Sequence, residues 1–209
     1  MSIETLFPMC DVVRTASDEL PTDWNESLSL PKQQALNRIS DFMCLAASSP
    51  MRRLMAASLE IGAIVPRGKK GRHDKRLWKL GILYSQSRVL LFSFPHTDFL
   101  RRTIEMPSQY RELVSKLGAF GLDQYSGQSI WPSAMEKLCA DIRLFLSAPS
   151  SAKILVPFYD HKTGDFDCWL NGEADEVWTF DHESCVLHLY CAGGFSAWIE
   201  KRFCETYSM

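Results

Sequence analysis

No stretch of this chain approaches the roughly 18 consecutive apolar residues that a membrane-spanning helix needs. The first residues, Met1-Ser2-Ile3-Glu4, lack the basic-then-apolar pattern of a secretory leader. Strong charge of one sign is missing too. The formal net charge is −2, which argues against a dedicated nucleic-acid binder as a whole. These absences lead to the expectation of a soluble, cytoplasmic protein. The seven cysteines, at 10, 44, 139, 168, 185, 191 and 204, are odd in number, and none sits at zinc-knuckle or redox spacing. They are expected as free thiols buried like small hydrophobes.

Catalytic signatures are equally scarce. There is no Gly-x-Ser-x-Gly elbow to present a nucleophile beside a base. The His-x-Glu and Pro-Cys-x-x-Cys elements of a zinc deaminase are lacking. His182-Glu183 has no second histidine four positions on, as a zinc-protease helix requires. The five histidines, His73, His96, His161, His182 and His188, therefore read as structural. No cofactor is expected. Internal repeats and low-complexity segments are also absent.

What the chain does have is aromatic mass, with 12 Phe, 6 Tyr and 6 Trp, enough for the core of one ordinary domain. Residues 1–209 read as that single domain. Residues 1–65 form a helical N-terminal part, 66–130 a hairpin plus helix, and 131–209 a helix, a strand meander and a closing helix. Helical spacing recurs from Pro31 (Leu36, Ile39, Met43, Ala46) and from Ser49-Pro50 (Met51, Leu54, Met55), with Gly62 as the stop. Leu77–Tyr84 and Val89–Phe94 flank Ser85–Arg88 as a hairpin, and Pro95-His96-Thr97-Asp98 starts a short helical segment. Pro107 opens a helix with Tyr110, Leu113, Val114 and Leu117 on one face. Residues 132–147 form a helix with Met135, Leu138, Cys139, Ile142, Phe145 and Leu146 as its apolar stripe.

The stretch 153–203 organises the rest. Ile154 to Tyr159 is apolar on both faces, as in a strand buried on both sides. In the next run Phe166, Cys168 and Leu170 share one face, while Asp165, Asp167 and Trp169 share the other, read as the solvated one. His161-Lys162-Thr163-Gly164 suits a hairpin turn with Gly164 at positive φ, and Asn171-Gly172 is the strongest turn signal of the chain. Phe195, Trp198, Ile199 and Phe203 follow at helical spacing. The expected class is α+β: helices on an antiparallel sheet built mainly from 77–94 and 154–191.

Leu155-Val156-Pro157-Phe158, Asp160, Gly164-Asp165, Cys168, Val177, Phe180-Asp181-His182, Phe195 and Trp198 together resemble the core of the SUKH superfamily. That superfamily gathers fungal Smi/Knr cell-wall regulators, bacterial immunity proteins and a betaherpesvirus tegument family. The likeness covers about a quarter of the chain, mainly at packing and turn positions. The hairpin-then-helix order of 77–117 is similar to the viral branch. The resemblance implies an interaction protein without turnover. It would be an immunity protein capping a secreted toxin, often a nuclease, or an intracellular antagonist of host defence.

Two polar stretches are candidates for contact. Between Asp160 and Glu183, acids outnumber the single Lys162. Tyr159, Asp160, Asp165, Asp167, Trp169, Glu173, Asp175 and Glu176 are the expected docking surface for a basic protein partner. Tyr159 and Trp169 serve as its aromatic anchors, with Phe158, Phe180 and Trp198 inside. Alternatively, Asp165 and Asp167 on one strand face hold a divalent cation for phosphoester hydrolysis. The basic run holds Arg67, Lys69, Lys70, Arg72, Lys75 and Arg76 against Asp74, in an exposed loop. It reads as a solvated loop, or as a contact for phosphate, nucleic acid or an acidic partner.

Overall fold

The hairpin expected at 77–94 forms as β3 (Lys79–Leu83) and β4 (Val89–Ser93), paired from Lys79↔Ser93 to Leu83↔Val89. It does so in a computed structural model that describes residues 1–95, 106–125, 127–130, 138, 155–170 and 173–207. The hairpin is the middle of a five-stranded antiparallel sheet. Its outer members are β1 (Cys10–Val13) and β2 (Glu60–Pro66) on one side and β5 (Phe120–Gly121) on the other, in the order β1-β2-β3-β4-β5. Residues 1–65 are thus not purely helical. Gly62, expected to stop a helix, lies within β2 opposite Gly81. The small Gly62-Ala63 pair hid the strand's alternation, in which Ile61, Ala63 and Val65 enter the main core and Ile64 a second cluster on the far face.

The expected strands after 154 make a second sheet rather than an extension of the first. It contains β6 (Gln128–Ser129), β7 (Leu155–Asp160), β8 (Phe166–Leu170), β9 (Glu173–Asp181) and β10 (Val186–Ala192), ordered β10-β9-β8-β7-β6. The fold class is α+β, with two antiparallel sheets. They meet at β5 and β6, where Phe120 N–H donates to Ser129 Oγ at 3.1 Å. Ile130 N–H donates to the Phe158 carbonyl at 2.8 Å.

The α-helices described in full are α1 (Ile3–Leu6), α2 (Thr22–Ser29), α3 (Lys32–Phe42), α4 (Pro50–Ala56), α5 (Lys69–His73), α6 (Ser108–Lys116) and α7 (Gly194–Tyr207). Ser49 caps α4 as its sequence suggests, its Oγ accepting from Arg52 N–H at 3.0 Å. Leu36 and Ile39 of α3, Met51 and Met55 of α4, and Tyr110, Leu113 and Val114 of α6 are buried in the main core. The expected helix at 132–147 lies, Leu138 apart, outside the described residues, as do Ile154, the Asn171-Gly172 turn and the segment beyond Pro95. No helix among the described residues is long and apolar enough to cross a membrane.

One aromatic group ties both sheets to α6 and α7. The Tyr110 ring lies 6.4 Å from Phe120, 5.6 Å from Phe158, 4.8 Å from Trp169 and 5.5 Å from Phe195, each edge-on. Phe158 and Trp169 stack at 3.6 Å with 11° between their planes. The Tyr110 hydroxyl donates to the Phe158 carbonyl at 3.3 Å, and burial pushes its pKa up. Of the six described cysteines only Cys168 is fully buried; the other five are partly exposed.

Candidate functional site

The alternation of β8 holds, but its two faces are reversed. The face bearing Asp167 and Trp169 packs inward under α7, and Trp169 is only 2% exposed. Tyr159, the other expected anchor, is 1% exposed, because a bulge between Pro157 and Tyr159 turns Phe158 and Tyr159 into the same core. Neither ring is available to a partner. Phe158, Phe180 and Trp198 are buried, as expected.

Asp167 is completely buried and fully engaged. Arg202 Nη2 donates to both its oxygens at 2.8 and 2.9 Å, the Trp198 indole N–H donates at 2.8 Å, and Thr179 Oγ1 donates at 2.6 Å. His161 Nε2 lies 3.1 Å from Oδ2. Burial alone would raise this carboxyl. The His161 contact, the Arg202 charge and the Thr179 bond outweigh it and hold the pKa below the ordinary value. Asp167 therefore secures α7 to the second sheet. It does not share a solvated face with Asp165, so the two-carboxylate metal arrangement is not assembled. Arg202 went unnoticed in the sequence, although it follows Trp198 by one helical turn on the buried face.

Asp165 instead meets the β9–β10 turn. Its Oδ1 accepts from His182 N–H at 3.1 Å and lies 2.8 Å from His182 Nδ1. That contact lowers the Asp165 pKa and raises that of His182. Asp160 Oδ1 accepts from Lys162 N–H, and Asp181 Oδ1 accepts from the N–H groups of Glu183 and Ser184. Gly164 takes φ +103°, and a Cβ there would lie 2.8 Å from the His182 ring. The ligand atoms of Asp165, Asp181 and His182 lie within 4.8 Å of one another, yet each already serves these turns.

Asp167 apart, the acidic residues fall into two groups. Asp160, Asp165, Asp181 and Glu183 sit at one end of the second sheet. Glu173, Asp175 and Glu176 sit at the other end of β9, roughly 17 Å away at about 3.3 Å per strand residue. Between them runs the side of the sheet opposite Asp167 and Trp169. Leu155, Cys168 and Phe180 are buried there, with the partly buried Phe166, Leu170 and Leu187 packed against them. By register Trp178 and Leu189 join them, and Leu189 is 51% exposed.

β10 is the outermost strand of this sheet among the described residues, and Val186–Ala192 carries no carboxylate, lysine or arginine. A bulge between Leu189 and Cys191 interrupts it. Lys201 Nζ donates to the Tyr190 carbonyl at 2.6 Å, and Arg202 stacks 4.0 Å from the Tyr190 ring.

The basic run is not a plain loop. Lys69–His73 turns as α5, followed by a short 3-10 turn at Lys75–Leu77. Together with Asp11, Val13, Ser17, Glu19, Leu20, Val65 and Trp78, residues Arg67, Gly68, Lys69, Arg72 and His73 line a cleft of about 780 Å³. Asp11 accepts from Arg67 Nε at 2.9 Å and from Arg72 Nη2 at 3.2 Å. Lys75 Nζ donates to the Glu19 carbonyl, and both oxygens of Asp74 hold Arg76. Lys69 and Lys70 have no ion pair among the described residues. The acidic and apolar members of this cleft were not visible in the basic run itself.

α5 packs so closely that Gly71 admits no side chain. A Cβ would lie 2.6 Å from the Pro66 carbonyl oxygen, and the Gly71 carbonyl accepts from the buried Trp78 indole at 3.0 Å. Gly71→Ala must therefore push α5 off β2. It is expected to lower stability by about 1–3 kcal/mol in a denaturant titration. An unchanged midpoint would mean that α5 is loosely held. No family model, curated protein or solved structure matches this chain.

Proposed function

We propose that this chain is a non-catalytic protein-binding domain that neutralises a partner with a basic contact surface. The observation that carries the reading is the exposed Leu189 on β10 beside the half-buried Leu187 and Trp178, with carboxylates at both ends of the neighbouring strand β9. Interfaces combine an apolar centre with a charged rim, and opposite potential steers encounter and fixes register. Asp160, Asp165, Asp181 and Glu183 supply one rim, and Asp175 and Glu176 the other. Leu189, Leu187 and Trp178 replace Tyr159 and Trp169 as anchors. The SUKH resemblance supports the same reading, and its two branches differ in the partner, a toxin or a host-defence factor. No turnover is part of either.

The test is affinity capture from host lysate with three baits: the natural chain, Leu189→Asp, and a variant with Asp165→Lys and Glu183→Lys. The partner is expected to be basic, to bind one-to-one, and to dissociate as salt rises. Either variant should weaken capture at least about tenfold while melting within a few degrees of the parent. A partner retained equally by all three baits would exclude this face.

A further inference from the structure

We propose that the cleft between β1, β2 and α5 binds a soluble organic phosphate of about mononucleotide size. This site is separate from the proposed docking face. Every lining residue precedes Lys79, and none belongs to the second sheet.

The argument begins with volume. A cleft of about 780 Å³ falls within the range of about 300–1,000 Å³ that takes whole small ligands. Its floor is apolar: Leu20, Val65 and Trp78 are all buried. Its rim carries three cations, Arg67, Lys69 and Arg72, against the carboxylates of Asp11 and Glu19. A ligand that satisfies both parts has an uncharged body and a multiply charged head.

Asp11 decides the kind of head. Its carboxylate fixes two guanidiniums at once, from β1 to the segment after β2 and to α5. Arg67 is fixed again through Nη1 to the Pro8 carbonyl at 3.1 Å. Each guanidinium has five N–H donors, so most remain for a ligand. Two guanidiniums held by a shared carboxylate, with Lys69, unpaired among the described residues, between them in sequence, suit the tetrahedral oxygens of phosphate better than a single carboxylate group. The wall cannot splay, because Gly71 abuts Pro66 and its carbonyl is bonded to Trp78.

The same geometry argues against duplex nucleic acid as the ligand. The cations at Lys75 and Arg76 are bonded to Glu19 and Asp74. Those facing the cleft line a concavity rather than a ridge that could track a backbone.

Isothermal titration of the full chain with ATP and with inorganic pyrophosphate, at about 0.15 M salt, tests this. ATP should bind one-to-one, at least about tenfold tighter than pyrophosphate, since the body contributes through the apolar floor. Lys69→Glu and Arg72→Glu should each weaken ATP about tenfold or more. Ser17→Trp, which fills the cleft without changing its charge, should abolish binding. Arg76→Glu, outside the cleft, should leave it unchanged. All four variants should melt near the parent. Equal affinity for pyrophosphate, loss of binding in Arg76→Glu, or full binding by Ser17→Trp would each overturn the proposal, as would the absence of any saturable ATP binding.

Discussion

Asp167→Ala is expected to take away a large share of the fold's stability at neutral pH. Removing the carboxylate leaves the buried Trp198 indole N–H without its acceptor and the Arg202 guanidinium with only the half-exposed Glu205 carboxylate as a counter-charge. Breaking a buried pair from one side costs about 3–5 kcal/mol, out of a total of about 5–15 kcal/mol for an ordinary domain. Asp167→Asn keeps the shape but loses the charge and should fall in between. Replacing both partners, as Asp167→Leu with Arg202→Met, should cost less than Asp167→Ala alone, because no charge is left buried. Acid should act through the same group. The folded Asp167 carboxyl titrates below its ordinary value of 3.8, so its contribution is complete above that value and fades as pH falls through the lower folded one. Urea melts at falling pH should show this loss in the parent and not in Asp167→Asn. A fully stable Asp167→Ala protein would mean that α7 is held by its apolar side chains alone.

Trp169→Ala should be nearly as damaging, at about 3–5 kcal/mol. The indole stacks on Phe158 and meets Tyr110 edge-on at the point where both sheets and two helices converge. A surface aromatic would cost no more than about 0.5 kcal/mol on truncation. The denaturant midpoint of this one variant thus separates an interior Trp169 from an exposed one by several-fold. A shift near the lower figure would reinstate it as a docking residue.

The reversal of β8 shows what sequence could and could not convey. The period of two was legible across 166–170, as were the hairpin at 79–93, the Ser49 cap and the helix after Gly193. Which side of β8 turns inward was not. Phe166, Cys168 and Leu170 look like the apolar side, and Asp167 looks like a reason to face water. The deciding partner, Arg202, is 35 residues on, in a helix whose apolar positions alone had been counted. A buried charge is recognisable only when its counter-charge is placed in space. β2 was missed for a different reason, since Gly62 and Ala63 lower its apolar signal and local pattern favoured a helix stop. The cleft beside α5 was legible by half: its cations are contiguous, whereas Asp11, Leu20 and Trp78 arrive from separate elements.

β10, the outermost strand of its sheet among the described residues, has one consequence beyond recognition. A seven-residue edge lacking carboxylates, lysines and arginines is the kind of border on which identical chains stack sideways into fibres. Here the bulge after Leu189 breaks the spacing that a neighbouring copy would match, and the Lys201 ammonium occupies the Tyr190 carbonyl oxygen. Protection against runaway polymerisation thus rests on one kink and one side chain borrowed from the following helix.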